Sequence, residues 1–303
     1  MDECFFKPRS MEVFDSLLLV CDPVDDHHYV VVDLNKREVV LTGGLKGGGP
    51  DDLMFGGCMD KIDHDLFQVI DVTNRKTLAF SLSDMLRTAE FVPVKRISYQ
   101  DLHPEIKDVT MFMYLLTDTD NISLGLYDKG KYVRYTSHDL FEYWLDYPEK
   151  EKYRINPFHV HQGGIHINRS KGVFLYHSPF GYYYEMVAYG GERLNVVFAD
   201  YLPHEFNEDT GAFSLDTPCG INTADFTSDE VFMLYSGRSM KDYPTNAYYC
   251  DKILVTDYEG VKKRVYHLGR DVSDIKIDEK TRRIYAIARN PETLELEIGY
   301  FNY

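Results

Sequence analysis

The chain has one tryptophan, five cysteines and no apolar run that approaches a membrane span. Its longest such run, around Leu17 to Cys21, is strand-sized, whereas a spanning helix needs about 20 residues. The opening residues do not read as a secretory signal. Met1-Asp2-Glu3-Cys4 is therefore expected to be a cytoplasmic start, or one left after an export signal has been removed. Cys4, Cys21, Cys58, Cys219 and Cys250 include no CxxC pair, so neither a zinc ribbon nor a thioredoxin-type redox site is supported. The odd count leaves at least one thiol unpaired, and whether Cys219 and Cys250 pair is left open by the sequence. Basic residues are scarce: 33 against 49 acidic ones leave a formal charge of −16. That field repels phosphate backbones and anionic headgroups, so neither nucleic acid nor a membrane surface is an expected partner. Helical periodicity is confined to Leu82–Ala89 and Asp139–Tyr147, each expected to be a short helix on a loop. No low-complexity linker divides the chain, so residues 1–303 are expected to form one domain.

What is abundant is strand-forming sequence. Hydrophobic residues make up 44%, with Tyr 24 and Phe 18, side chains that suit a pleated, half-buried surface. Six stretches share one design, an apolar strand, a polar turn and a second apolar strand. They are HHYVVVDLNKREVVL, LFQVIDVTNRKTLAF, ISLGLYDKGKYVRY, GVFLYHSPFGYYYEMV, KILVTDYEGVKKRVYHL and RRIYAIARNPETLELEIGYF. Their first strands fall near Val31, Phe67, Ile122, Phe174, Ile253 and Ile284. The long step from 174 to 253 is expected to hide one more strand pair, with EVFMLY at 230–235 as its visible half. Hairpins recurring at roughly 50-residue spacing predict radial β repetition. The expected fold is all-β: a six-bladed β-propeller of four-stranded antiparallel blades, closed by pairing of the N- and C-terminal strands. LELEIGYFNY and the candidate strand near Met11–Leu19 would supply that closure.

Three stretches resemble the TolB-like six-bladed propellers of Bacteroides and related bacteria. The first is LLLVCDPVDDHHYVVVDLNKREVVLTGGLKGGGPDDL, with its GxGP-acidic turn at Gly47 to Asp52. The second is HVHQGGIHINRSKGVFLYHSPFGYYYEM, at 159–186, and the third runs from CDKILVTDYEG to ELEIGYF. The resemblance implies an often lipid-anchored envelope protein and brings no catalytic residues with it. Cys4 is the one position where a lipoprotein cysteine would fall.

Several local patterns invite chemistry. Gly43 to Pro50 lacks the GxxxxGK[ST] order of a phosphate loop and runs into Asp51-Asp52, so it reads as a crossover between blades. His159, His161 and His166 lie close together, with His177 a strand further on. If 159–161 is extended, His159 and His161 share a face and could ligate one ion, completed by His166 or His177. Hydrogen-bonded structural histidines are the competing expectation. Tyr182, Tyr183 and Tyr184, with Tyr176, Gln162 and Glu185 nearby, offer stacking faces and hydroxyl donors for a sugar or peptide; ordinary packing is the rival reading. Asp118-Thr119-Asp120-Asn121 lacks the Gly and distal Glu of a calcium loop and reads as a turn, as does Asp25-Asp26-His27-His28. There is no GxSxG and no HExxH.

The function these features predict is a non-catalytic binding or interaction module of the bacterial cell envelope, without a cofactor. Its partner would be a protein, peptide or carbohydrate, held near 159–185 at one mouth of the central channel. The alternative is a metal-assisted hydrolase or lactonase-like enzyme with Ca or Zn in that channel. Without a removed export signal the location would be cytoplasmic.

Overall fold

The computed structural model describes residues 5–136 and 140–303; Cys4 and Asp139 lie outside them. All six hairpins read from the sequence are present. β1 (Ser10–Phe14), β2 (Leu17–Val24), β3 (His27–Asp33) and β4 (Glu38–Leu45) form the first antiparallel sheet. β5 (Cys58–Lys61), β6 (Leu66–Asp71), β7 (Lys76–Ser81) and β8 (Lys95–Ser98) form the second, with α1 (Leu82–Thr88) after β7. A short helix α2 (Pro104–Lys107) precedes the third sheet, β9 (Thr110–Leu115), β10 (Asp120–Gly125), β11 (Tyr132–Thr136) and β12 (Leu140–Trp144). The helical turn α3 (Phe158–His161) leads into β13 (Gly164–Asn168), β14 (Val173–His177), β15 (Tyr182–Ala188) and β16 (Asn195–Leu202). The last sheet has six strands: β17 (Ile221–Phe226), β18 (Val231–Tyr235), β19 (Cys250–Thr256), β20 (Lys262–Asp278), β21 (Arg283–Arg289) and β22 (Leu296–Asn302).

That sixth-strand excess has a simple origin. The first part of β20 pairs with β19, from Thr256↔Lys262 to Lys252↔His267. Its second part pairs with β21, from Val272↔Ala288 to Asp278↔Arg283. A bulge around Gly269, whose φ is +67°, separates the two. One long strand thus joins a four-stranded set, β17 to β20, to a three-stranded set, β20 to β22. Counted this way there are six sets, and the last has three strands where four were expected. EVFMLY supplies β18, the strand expected within the long step, and KILVTDYEGVKKRVYHL forms β19 and the start of β20 in the same set.

Two other expectations need correcting. The described part of the expected Asp139–Tyr147 helix is not helical: β12 pairs with β11 in register from Tyr132↔Trp144 to Thr136↔Leu140, and Phe141, Tyr143 and Trp144 suit such cross-strand pairing. Nor do the terminal strands pair among the described residues, because β1 belongs to the first sheet and β22 to the last. Local bonds hold them there. Asp22 accepts from the backbone N–H groups of Phe6 and Lys7, tying the N-terminal segment to its own sheet. At the other end, the Asn290 turn folds β22 back beside β21.

The hairpins share turn chemistry. Asp33 Oδ1 accepts from the N–H groups of Asn35 and Lys36 at 2.9 and 3.0 Å. Asp71, Asp278 and Asn290 do the same for the residues two and three further on. Four residues after each lies a left-handed residue: Arg37, Arg75, Arg282 and Leu294. A non-glycine residue there costs roughly 1 kcal/mol, which the two side-chain-to-backbone bonds offset. Of the Gly43–Pro50 segment, Gly43 to Leu45 end β4 and pair with β3, and only Lys46 to Pro50 enter the link to β5, where the carbonyls of Gly49 and Pro50 accept from Lys76 Nζ. The expected crossover is thus shorter than the glycine run, because its first glycines are taken up by the strand.

By contacts the chain falls into two compact units: the first runs to Trp144 and takes in Leu296–Ile298, the second is Leu145–Glu295 with Gly299–Tyr303. Within the first, Phe14, Leu19, Tyr29 and Val31 pack against Phe67, Val69, Leu78 and Phe80 between sheets one and two. Within the second, alternate residues of β18 serve two cores. Val231 and Met233 face Leu175, Tyr184 and Met186, while Phe232 and Leu234 face Ile253, Ile275 and Ile284. Period-two alternation with both faces buried explains why such strands read as continuous apolar runs. Each fully buried side chain of this kind contributes about 1.5–3 kcal/mol. Cys21, Cys58, Cys219 and Cys250 are all free thiols, so Cys219 and Cys250 are not bridged. Among the described residues no helix is long and apolar enough to cross a membrane.

Candidate binding cleft

The residues singled out from 159–185 separate into three groups. The histidines do not converge. His159 and His161 sit on α3 rather than on a strand, so two residues apart they point to nearly opposite sides. His159 is exposed, as is Gln162, the left-handed residue that ends the turn. His161 is fully buried, stacked on Tyr147 at 5.2 Å between centroids and edge-on to Tyr183 at 5.4 Å. His166, on β13, turns instead to His177 on β14, their Nε2 atoms 3.1 Å apart. Among the described residues no three His, Cys, Asp or Glu side chains are placed to hold an ion. The proposed set of His159, His161 and His166 is therefore not assembled, because a helical turn stands where a strand was expected.

The His166–His177 pair has a definite proton arrangement. His177 Nδ1 lies 2.8 Å from the Ile221 carbonyl, which can only accept, so Nδ1 carries the proton. In the neutral ring Nε2 is then the acceptor, and His166 Nε2–H donates to it. Burial pushes the His177 pKa down to about 4, and pushes His166 well below its ordinary range.

The tyrosine triplet divides by face, since β15 alternates. Tyr183 turns to Glu185 and donates to Oε2 at 2.8 Å, beside Tyr176 and His161. This side is a closed aromatic core. Tyr182 and Tyr184 face the other way, and both donate to Asp200 Oδ2 at 3.2 Å. Asp200 is placed by the β15–β16 register, Tyr184↔Asp200. Lys262 Nζ stands 3.6 Å from the same carboxylate and 5.9 Å from the Tyr182 ring. Tyr235 meets Tyr182 edge-on at 5.8 Å. Tyr182, Tyr184, Tyr235 and Lys262 line a cleft of about 400 Å³ between β15 and strands β18 to β20, with Leu254, Lys263, Arg264 and Val265 also in its lining; Asp200 is tied to it through the hydroxyls of Tyr182 and Tyr184.

Burial first, and then its neighbours Tyr182 and Asp200, raise the Tyr184 pKa. Tyr184 is accordingly a hydrogen-bond donor at neutral pH rather than a proton source. Lys262 is held charged by Tyr182 and Asp200. The cleft therefore offers tyrosine rings and three cations, Lys262, Lys263 and Arg264, the last two paired with Asp257 and Glu230, with the Asp200 carboxylate bonded to two of the tyrosines. Tyr182 and Tyr184 were legible in the sequence; Asp200, Tyr235 and Lys262 were not, because strand pairing and sheet stacking bring them in.

Stacked four-stranded antiparallel sheets of this kind are the building units of a β-propeller. The chain belongs to the TolB-like 6-blade propeller-like family, which matches residues 1–280. It is similar in fold to a Bacteroides fragilis protein predicted to be exported, at 12% identity over 95% of this chain and 81% of the other, with a TM-score of 0.61. It is also similar to a duf4221-family member from Bacteroides vulgatus, at 10% identity, 98% and 94% coverage and a TM-score of 0.62. The β-propeller domain of Myceliophthora thermophila Cps50 (Swd1) aligns at 11% identity, 97% and 96% coverage and a TM-score of 0.55. No curated protein matches the sequence.

Proposed function

We propose that this protein is a non-catalytic binding module of the bacterial cell envelope, and that the Tyr182–Tyr184 cleft takes a hydroxyl-rich ligand such as an oligosaccharide. The observation that carries the reading is the meeting of tyrosine rings with Lys262 in one cleft, with Asp200 bonded to Tyr182 and Tyr184 and 3.6 Å from Lys262. Sugar rings present apolar faces that stack on tyrosine, and hydroxyls that both donate to a carboxylate and accept from an ammonium. The description of the Bacteroides fragilis protein of similar fold as one predicted to be exported supports the envelope location.

The test is a panel of neutral oligosaccharides, screened by melting-temperature shift and followed by calorimetric titration. Tyr182 is half-exposed, so Tyr182→Ala is expected to fold and to weaken the ligand found roughly tenfold, about 1.4 kcal/mol. Tyr184→Phe, which keeps the buried ring and removes one donor to Asp200, should weaken it less. Binding indifferent to Tyr182→Ala, or a panel without any shift, would count against this cleft.

A further inference from the structure

The charges around the Tyr182–Tyr184 cleft narrow what it can take. Among the described residues no Asp or Glu lines it, whereas Lys262, Lys263 and Arg264 do. In a chain of formal charge −16, three consecutive basic residues on one wall are a local exception. Two of the three are already committed. Lys263 Nζ lies 2.7 Å from Asp257, and Arg264 donates to both oxygens of Glu230 at 2.5 and 2.7 Å. Lys262 is held more loosely. Its ammonium stands 3.6 Å from Asp200, beyond ordinary hydrogen-bond length, and its side chain is 70% exposed. An ammonium has three N–H donors, so a second anion can be received beside Asp200.

Directly across from Lys262 stands Thr256. The β19–β20 register pairs the two, and directly opposed residues share a face of the sheet. Leu254, two residues before Thr256 and so on the same face, packs in one cluster with Tyr182, Tyr184 and Tyr235. Thr256 thus lies on the tyrosine side, and it lines the cleft. It is 1% exposed, and its Oγ1 has no hydrogen-bond partner. A buried hydroxyl without a partner is rare and costs stability, so a ligand oxygen that reaches it is favoured. One O–H donor and one ammonium on opposed strands match the two oxygens of a planar carboxylate.

We infer that the ligand of this cleft is an acidic oligosaccharide, one sugar carboxylate being held between Thr256 Oγ1 and Lys262 Nζ while sugar rings lie on the tyrosines. The inference rests on the oligosaccharide reading of the cleft and adds the class of sugar, a uronic acid. Both bonds to the carboxylate would be charge-assisted, the stronger kind.

The test is calorimetric titration of the whole chain with tetramers of galacturonic, glucuronic and mannuronic acid, each beside its methyl ester. The ester keeps the rings and removes the charge. At least one acid is expected to bind roughly tenfold more tightly than its ester, an advantage that shrinks as salt is raised. Lys262→Gln should remove most of that advantage. Thr256→Val should weaken the acid roughly fivefold and leave the melting temperature of the free protein unchanged or higher, since the hydroxyl it removes has no partner there. Equal binding of acid and ester, both weakened by Tyr182→Ala, would overturn this inference and leave the oligosaccharide reading standing. Acid binding indifferent to Lys262→Gln, or a free protein destabilised by Thr256→Val, would also overturn it. So would tighter binding of a sulfated tetramer than of any of the acids. Failure of every acid, ester and neutral oligosaccharide to bind would overturn both readings.

Discussion

Asp71→Ala is expected to lower the unfolding free energy by about 3 kcal/mol, read from urea denaturation midpoints. The Asp71 side chain is fully buried and its carboxylate closes two structures at once. Oδ1 accepts from the N–H groups of Thr73 and Asn74, shaping the β6–β7 hairpin turn. Oδ2 accepts from Met54 N–H at 2.7 Å and from Asn74 Nδ2 at 3.0 Å, and the first of these anchors the crossover from sheet one to the same turn. Each donor left without a partner costs roughly 1–3 kcal/mol, moderated here because Met54 and Thr73 are exposed enough for water to replace part of the loss. Asp71→Asn keeps one carbonyl acceptor but sets an amide N–H against one donor set, so an intermediate loss is expected. A loss below about 1 kcal/mol for Asp71→Ala would show that the turn chemistry contributes little.

Acidification from pH 7 to 4.5 is expected to remove several kcal/mol of stability, and the His166–His177 pair is a named source of that loss. Both rings are neutral in the fold, with folded pKa values below the unfolded value of about 6.5. Above pH 6.5 neither state binds these protons and the pair costs nothing. As pH falls below 6.5 the unfolded chain takes up protons that the folded one refuses, and the equilibrium shifts toward unfolding. For His177, whose folded pKa is near 4, the full effect is about 3 kcal/mol, spent between pH 6.5 and 4. Protonation also breaks the pair, since His177 Nε2 must then donate toward His166. His177→Gln keeps a donor for the Ile221 carbonyl and does not titrate. It should therefore reduce the stability difference between pH 7 and pH 4.5, while every carboxylate contributes as before. An unchanged difference in that variant would place the acid sensitivity elsewhere.

What the sequence determined by itself is local. Six hairpins and their polar turns follow from side-chain alternation and from Asx side chains bonding backbone two and three residues on, interactions that span only a few positions. The split of Tyr182 and Tyr184 from Tyr183 follows from the same two-residue period. Tertiary structure decided what depends on distant pairing. It made β20 one strand serving two sets, turned residues 140–144 into a strand rather than a helix, and placed the terminal strands in different sheets. It also set Asp200, Tyr235 and Lys262 around the tyrosines and parted His161 from His166. Register across strands and stacking between sheets rest on contacts tens of residues apart, and the spacing of residue types along the chain carries no measure of those distances.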